Sequence, residues 1–187
     1  MMRQFTKLAA LIVLLGLAAC GKQPTQTEPT LHEVMAGSID PVADVIWEES
    51  SKAYGEDGKA APGKLTETEW RKIAMAGRDL YDGAMVIAND PDIVAVAPGV
   101  KILDEGTVPE AVAATQVAAY IERDRLGLAL HARELSAIAL AIEAGAKARD
   151  VVKVVKLSED LDYVCEGCHQ RFWYPDQPKQ RAITAAP

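Results

Sequence analysis

Residues Val164–Pro175 read VCEGCHQRFWYP. Cys165, Cys168 and His169 stand at i, i+3 and i+4, so on a helix all three fall within an arc of about 100°. Leu157, Leu161 and Phe172 share that side, which turns the triplet toward a protein core. The apolar pattern carries this helix back to Ala148, and Pro175 stops it just after Trp173. A helix over 148–173 therefore holds two thiols and an imidazole on its inner face.

An inner face needs partners, and three more helical stretches precede it. Leu31, Val34, Met35, Ile39, Val42, Val45 and Ile46 set a first helix over 31–53. Pro41 withholds a donor and crowds the carbonyl of Gly37, which predicts a kink or restart near Asp40. Residues 54–64, YGEDGKAAPGK, read as a loop. A second helix opens at Thr66, where T-E-T-E lets Glu69 reach back in a capping box. Trp70, Ile73, Ala74, Gly77, Tyr81, Ala84 and Ala88 line its face, and Pro91 ends it. Asp92–Pro98, DIVAVAP, reads as a buried loop because no partner strand is in sight. A third helix is expected over 107–144, with Thr107 and Glu110 as another box, Pro109 in its first turn and a bend at Gly127.

Composition agrees with helices. Apolar residues make up 49% of the 187, yet aromatics only 5%, and alanine-rich chains favour close helix packing over sheets. The fold expected is all-α, an up-and-down four-helix bundle over residues 31–176, with a tail from 177 to 187.

The N-terminus reads as an export signal. Arg3 and Lys7 precede an apolar run from Leu8 to Ala19, which is too short for a membrane span of roughly 20 residues. Leu17-Ala18-Ala19-Cys20 followed by Gly21 resembles the lipobox of bacterial lipoproteins, which implies cleavage after residue 19 and lipidation of Cys20. Lys22 resembles the pattern that directs such proteins to the outer membrane. Residues 20–30 then form a flexible tether. Cleavage removes two basic residues and no acidic one, so the net charge of −7 becomes −9. That balance argues against nucleic acid and for weak docking to a basic protein face.

With Cys20 lipidated, Cys165 and Cys168 are the remaining pair, and C-x-x-C-H is the attachment signal of c-type haem. The thiols bond the vinyl groups and His169 binds the iron. Three rivals stay open. A thioredoxin-like pair normally sits in a βαβ context, which is not visible here. Zinc needs four ligands, and His32 and His131 are isolated. A plain disulfide suits an exported protein but leaves His169 unused.

A motif that comes last in the chain, with no methionine after it, resembles the class II cytochromes c: cytochrome c-prime and its low-spin relatives. The resemblance runs from Leu31 to Pro175 and is strongest over Cys165–Trp173 and the preceding EAGAKARD turn. It implies Met35, on the first helix, as the distal iron ligand of a low-spin electron carrier. Without that ligand it implies an open site for a small gas. His32, Met75, Met85 and His131 are lesser candidates. The family often has Arg or Lys where this chain has Trp173. That family residue acts beside the proximal histidine; separately, Arg71, Lys72 and Arg171 are possible cationic partners for the haem propionates. Members often form homodimers.

The reading that results is a mono-haem cytochrome, not an enzyme, passing single electrons at the outer membrane or in the periplasm. A five-coordinate gas-binding protein and a haem-free interaction lipoprotein are the alternatives.

Overall fold

Thr30 caps the first helix. Its hydroxyl accepts from Glu33 N–H at 3.2 Å, and the Glu33 carboxylate accepts from Thr30 N–H at 2.8 Å, a complete capping box. The computed structural model describes residues 28–103, 105–109 and 111–175, and its regular elements are all helical. The expected signal, Cys20, most of the tether and the C-terminal tail lie outside the described residues. No helix among the described residues is long and apolar enough to cross a membrane.

Helix α1 spans Leu31–Val34, a π-helical turn Met35–Ile39 follows, and α2 spans Asp40–Ser51. The break expected near Asp40 is thus a π turn that keeps the chain helical. Pro41 lands in the first turn of α2, directly after the π turn, and Asp40 N–H reaches back to Met35 O. The wider turn resets the inward face. Val34, Ile39, Ala43 and Ile46 are buried, whereas Val42 and Val45 only pack against the core's edge.

Helix α3 spans Glu67–Asn89 and begins, as its sequence predicts, at Thr66, whose N–H donates to Glu69 at 2.6 Å. Its buried face is wider than expected and includes Ala76, Leu80, Gly83 and Ile87. The loop after it is buried at Ile93 and Ala95. Val94 and Ala95 carbonyls accept from Leu31 and His32 N–H at 2.8 and 2.9 Å, satisfying donors that a helix start leaves open.

The third helix departs from expectation. Residues 107–109 lie in turns and bends, so no helix starts at Thr107. Glu110, the other half of the expected box, is outside the described residues. Helix α4 spans Ala114–Arg123, and α5 spans Arg125–Ala148. The break falls at Asp124 rather than at Gly127, because the Asp124 carboxylate caps α5 by accepting from Gly127 N–H at 3.0 Å. A Cβ on residue 127 would collide with that carboxylate. Helix α6 spans Val151–Phe172. It starts three residues later than predicted, since Arg149 turns left-handed (φ 54°) and Asp150 caps the new helix.

The main packing seam joins α3 to α5, with α6 lying on α5 and α2 on α3. At Gly77 the backbones of α3 and α5 nearly touch: an added Cβ would sit 2.9 Å from Glu143 N and 3.0 Å from Ala139 O. Buried Glu143 is held between Arg78 (2.7 Å) and Lys147 (2.5 Å). Buried Glu49 binds Lys52 (2.7 Å) and Lys72 (2.5 Å), tying α2 to α3. Because these glutamates are paired, they can lie inside.

Candidate functional site

The last two turns of α6 carry Cys165, Cys168, His169 and Phe172. Helix continuity places them on one side, and the end of the helix is firmly tied. Trp173 and Tyr174 N–H donate to His169 O at 2.7 and 2.8 Å, while Val112 N–H donates to Trp173 O at 3.2 Å. The imidazole of His169 meets the Trp173 indole edge-to-face, with centroids 5.1 Å apart. The indole stacks on Tyr174 at 4.8 Å.

These residues form one wall of a cavity of about 630 Å³, its open mouth included. Met35 and Ile39 line it from the first helical segment, Ile87 from α3, and Leu128, His131 and Leu135 from α5. The structure therefore brings Cys165, Cys168, His169 and Met35 to a single space. His131 reaches the same space, packed edge-to-face on Phe172 at 6.3 Å.

Burial sets the chemistry of the polar groups. It lowers the pKa of His169 below the usual histidine value, with Asp40 and Glu166 pulling weakly the other way. The ring is consequently neutral near pH 7 and keeps a lone pair for a metal. Burial pushes both thiols up to about 12. Reactive thiol pairs need the opposite, a depressed thiolate pKa, so redox exchange at Cys165 and Cys168 has no electrostatic support. Burial also lowers the pKa of His131.

The donor set can be tested against a c-type haem. Such a group needs two thiols and an imidazole on one helix face, beside an apolar surface. Here those donors share a cavity otherwise lined mainly by apolar side chains. Among the described residues no three His, Cys, Asp or Glu side chains converge as they would around a zinc ion. A haem asks for only one protein nitrogen, and His169 offers it. The residues fit the group.

The other sequence candidates lie elsewhere. His32 lines a neighbouring cavity together with Asp40 and Leu103. Met75, expected to be a packing residue, is 66% exposed, because residue 75 lies outside the face that α3 buries. Met85 packs against the core but does not line the cavity. None of the cations expected for propionates lines it either. Arg71 reaches toward Thr68, Lys72 serves Glu49, and Arg171 pairs with Asp124. One residue acquires weight that sequence reasoning did not give it. Trp173 lines both cavities, and its buried indole nitrogen has no hydrogen-bond partner among the described residues.

Comparison with known proteins gives no relative: no family model, curated protein or solved structure matches the chain.

Proposed function

We propose that the chain is a mono-haem c-type cytochrome of the class II kind that carries single electrons. The observation that carries the proposal is one apolar cavity lined at once by Cys165, Cys168, His169 and Met35. The helices support the finer fold as well. The first helical segment, α3, α5 and α6 act as the four long rods of an up-and-down bundle, and α4 is an added short helix.

Bound in the cavity, a c-type haem supplies an iron that gains or loses one electron at a time. Cys165 and Cys168, both on α6 and both lining the cavity, would hold it covalently. His169, kept neutral by burial, would offer its ring nitrogen to the iron. Met35 provides a soft, neutral thioether from the first helical segment, a ligand type that raises the potential of such centres. Ile39, Ile87, Leu128 and Leu135 exclude water, which limits the solvent rearrangement that accompanies a change of charge.

The rest of the assignment follows the N-terminal sequence. Cys20 carries the lipid, the tether lets the bundle stand off the membrane, and the location is periplasmic at the outer membrane. The mature charge of −9 favours donors and acceptors with basic docking faces, engaged weakly and in a salt-sensitive way.

The deciding experiment is the optical spectrum of the reduced, haem-loaded mature protein before and after carbon monoxide. The expected result is a sharp low-spin spectrum that carbon monoxide leaves alone, becoming carbon-monoxide-sensitive in Met35→Ala. A broad high-spin spectrum that changes promptly in the unaltered protein removes Met35 from the iron and makes the chain a gas-binding protein. Protein from a host competent in cytochrome maturation that carries no haem points instead to a haem-free interaction lipoprotein.

A further inference from the structure

We propose that Trp173 holds a haem propionate, its indole N–H donating to a carboxylate oxygen of the cofactor. This deepens the cytochrome reading and rests on it.

The argument begins with an unpaired donor. An indole N–H can donate but never accept, so burial without an acceptor is costly. Trp47, by contrast, meets its need within the protein: its Nε1–H donates to Ser158 O at 2.9 Å. Trp173 Nε1 is buried and finds no partner among the described residues, although its ring is one of the most firmly positioned in the site. The indole is clamped by Tyr174 stacking, by its edge-to-face contact with His169 and by two backbone hydrogen bonds through residue 173. A mobile side chain could turn its donor to water, whereas this one is held in place.

The location of the donor selects the acceptor. Trp173 stands where the main cavity meets the smaller one containing His32 and Asp40, since Leu31, Met35 and Trp173 line both. The Asp40 carboxylate shares that smaller space but does not accept from the indole. Once its vinyl groups are bonded to Cys165 and Cys168, a c-type haem keeps two carboxylates as its strong acceptors. The three cations expected to serve them are engaged away from the cavity. Trp173 is thus a neutral donor at the cavity junction, and it binds the carboxylate without adding a positive charge near the iron.

The test uses haem-loaded mature protein whose haem stays with the polypeptide after acid extraction. Resonance Raman spectra of the wild type, Trp173→Phe and Trp173→His are compared in the propionate-bending region, and midpoint potentials are measured alongside. Trp173→Phe should shift the bending band. It should also lower the potential, because a less stabilised carboxylate leaves more negative charge beside ferric iron. Trp173→His, which keeps a ring N–H, should restore both in part. An unchanged band and potential in Trp173→Phe, with haem content intact, would overturn the proposal.

If Trp173→Phe retains no haem, transfer of the wild type into D2O decides. A buried N–H exchanges slowly, so a band that moves over minutes to hours supports the indole donor. A band that moves within mixing, or never, rules it out. Wild-type protein that holds no covalent haem refutes the cytochrome reading itself, an outcome distinct from a haem whose propionate ignores Trp173.

Discussion

The α3–α5 seam and the end of α6 draw on similar residues, alanines and aliphatics with a few polar groups, yet one region is closed and the other is open. At the seam, Gly77 gives up its side chain so that backbones can meet, and Glu143 is neutralised by two cations. At the end of α6, Phe172, Leu128 and Leu135 line an apolar cavity that opens to solvent. Protein interiors are normally packed as densely as organic crystals, so side chains that line an open apolar cavity forgo some of the dispersion contacts that the seam enjoys. The seam is closed by the polypeptide's own packing, whereas the α6 end keeps an apolar cavity onto which Cys165, Cys168, His169 and Met35 converge.

The sharpest way to break that comparison is to remove the anchors. Cys165→Ala/Cys168→Ala protein should lose all covalently retained haem, going from full occupancy to none after acid extraction. Its helical circular dichroism should persist, because the seam does not depend on these thiols. Covalent haem surviving in the double variant would mean that Cys165 and Cys168 do not attach it. Collapse of the helices would mean that the two regions are not separable as described.

The next largest effect is expected at the seam. Gly77→Ala places a Cβ 2.9 Å from Glu143 N and 3.0 Å from Ala139 O, and neither backbone atom can move without moving α5. Overpacking of this kind costs about 1–3 kcal/mol, measurable as a lower urea midpoint. The haem spectrum should stay as in the wild type. A stability equal to wild type would show that the helices separate cheaply there, and the contrast with the cavity would lose its firm side.

Much of this organisation was legible in the sequence, and the gaps have physical causes. Periodicity found α6 and its inner face, and Thr66 announced α3, because an N-cap is a local rule written in four residues. The break at Asp124 was misplaced onto Gly127. Glycine looked like the flaw, whereas the cause was a carboxylate three residues earlier capping a new helix. The π turn at Met35–Ile39 left only the warning of Pro41, since a five-residue step mimics an interrupted helical pattern. Met35 follows from the family resemblance, and the structure brings it to the cavity. His131 reached the same cavity from a face that read as ordinary core. Trp173 could be seen only as a departure from the family's usual residue. That its nitrogen lacks a partner depends on the tertiary surroundings, which no local pattern encodes.

The smallest effect separates the seam's electrostatics from its packing. Lys147 bonds the Glu143 carboxylate and Arg78 adds to it, holding its pKa below the ordinary value of 4.5 despite burial. A depressed carboxylate stabilises the fold above its unfolded pKa, because the unfolded chain takes up the proton first as pH falls. That stabilisation is present at neutral pH, begins to fade below about 4.5 and is gone once the folded carboxyl protonates. Both cations are at least 46% exposed, so solvent screening keeps the contribution to about 1 kcal/mol. Urea unfolding of wild type and Glu143→Gln between pH 7 and pH 3 should therefore show a gap that narrows as the pH drops. A gap that stays constant would assign Glu143 to packing alone, and the seam would then be held by the Gly77 contact without help from its ion pairs.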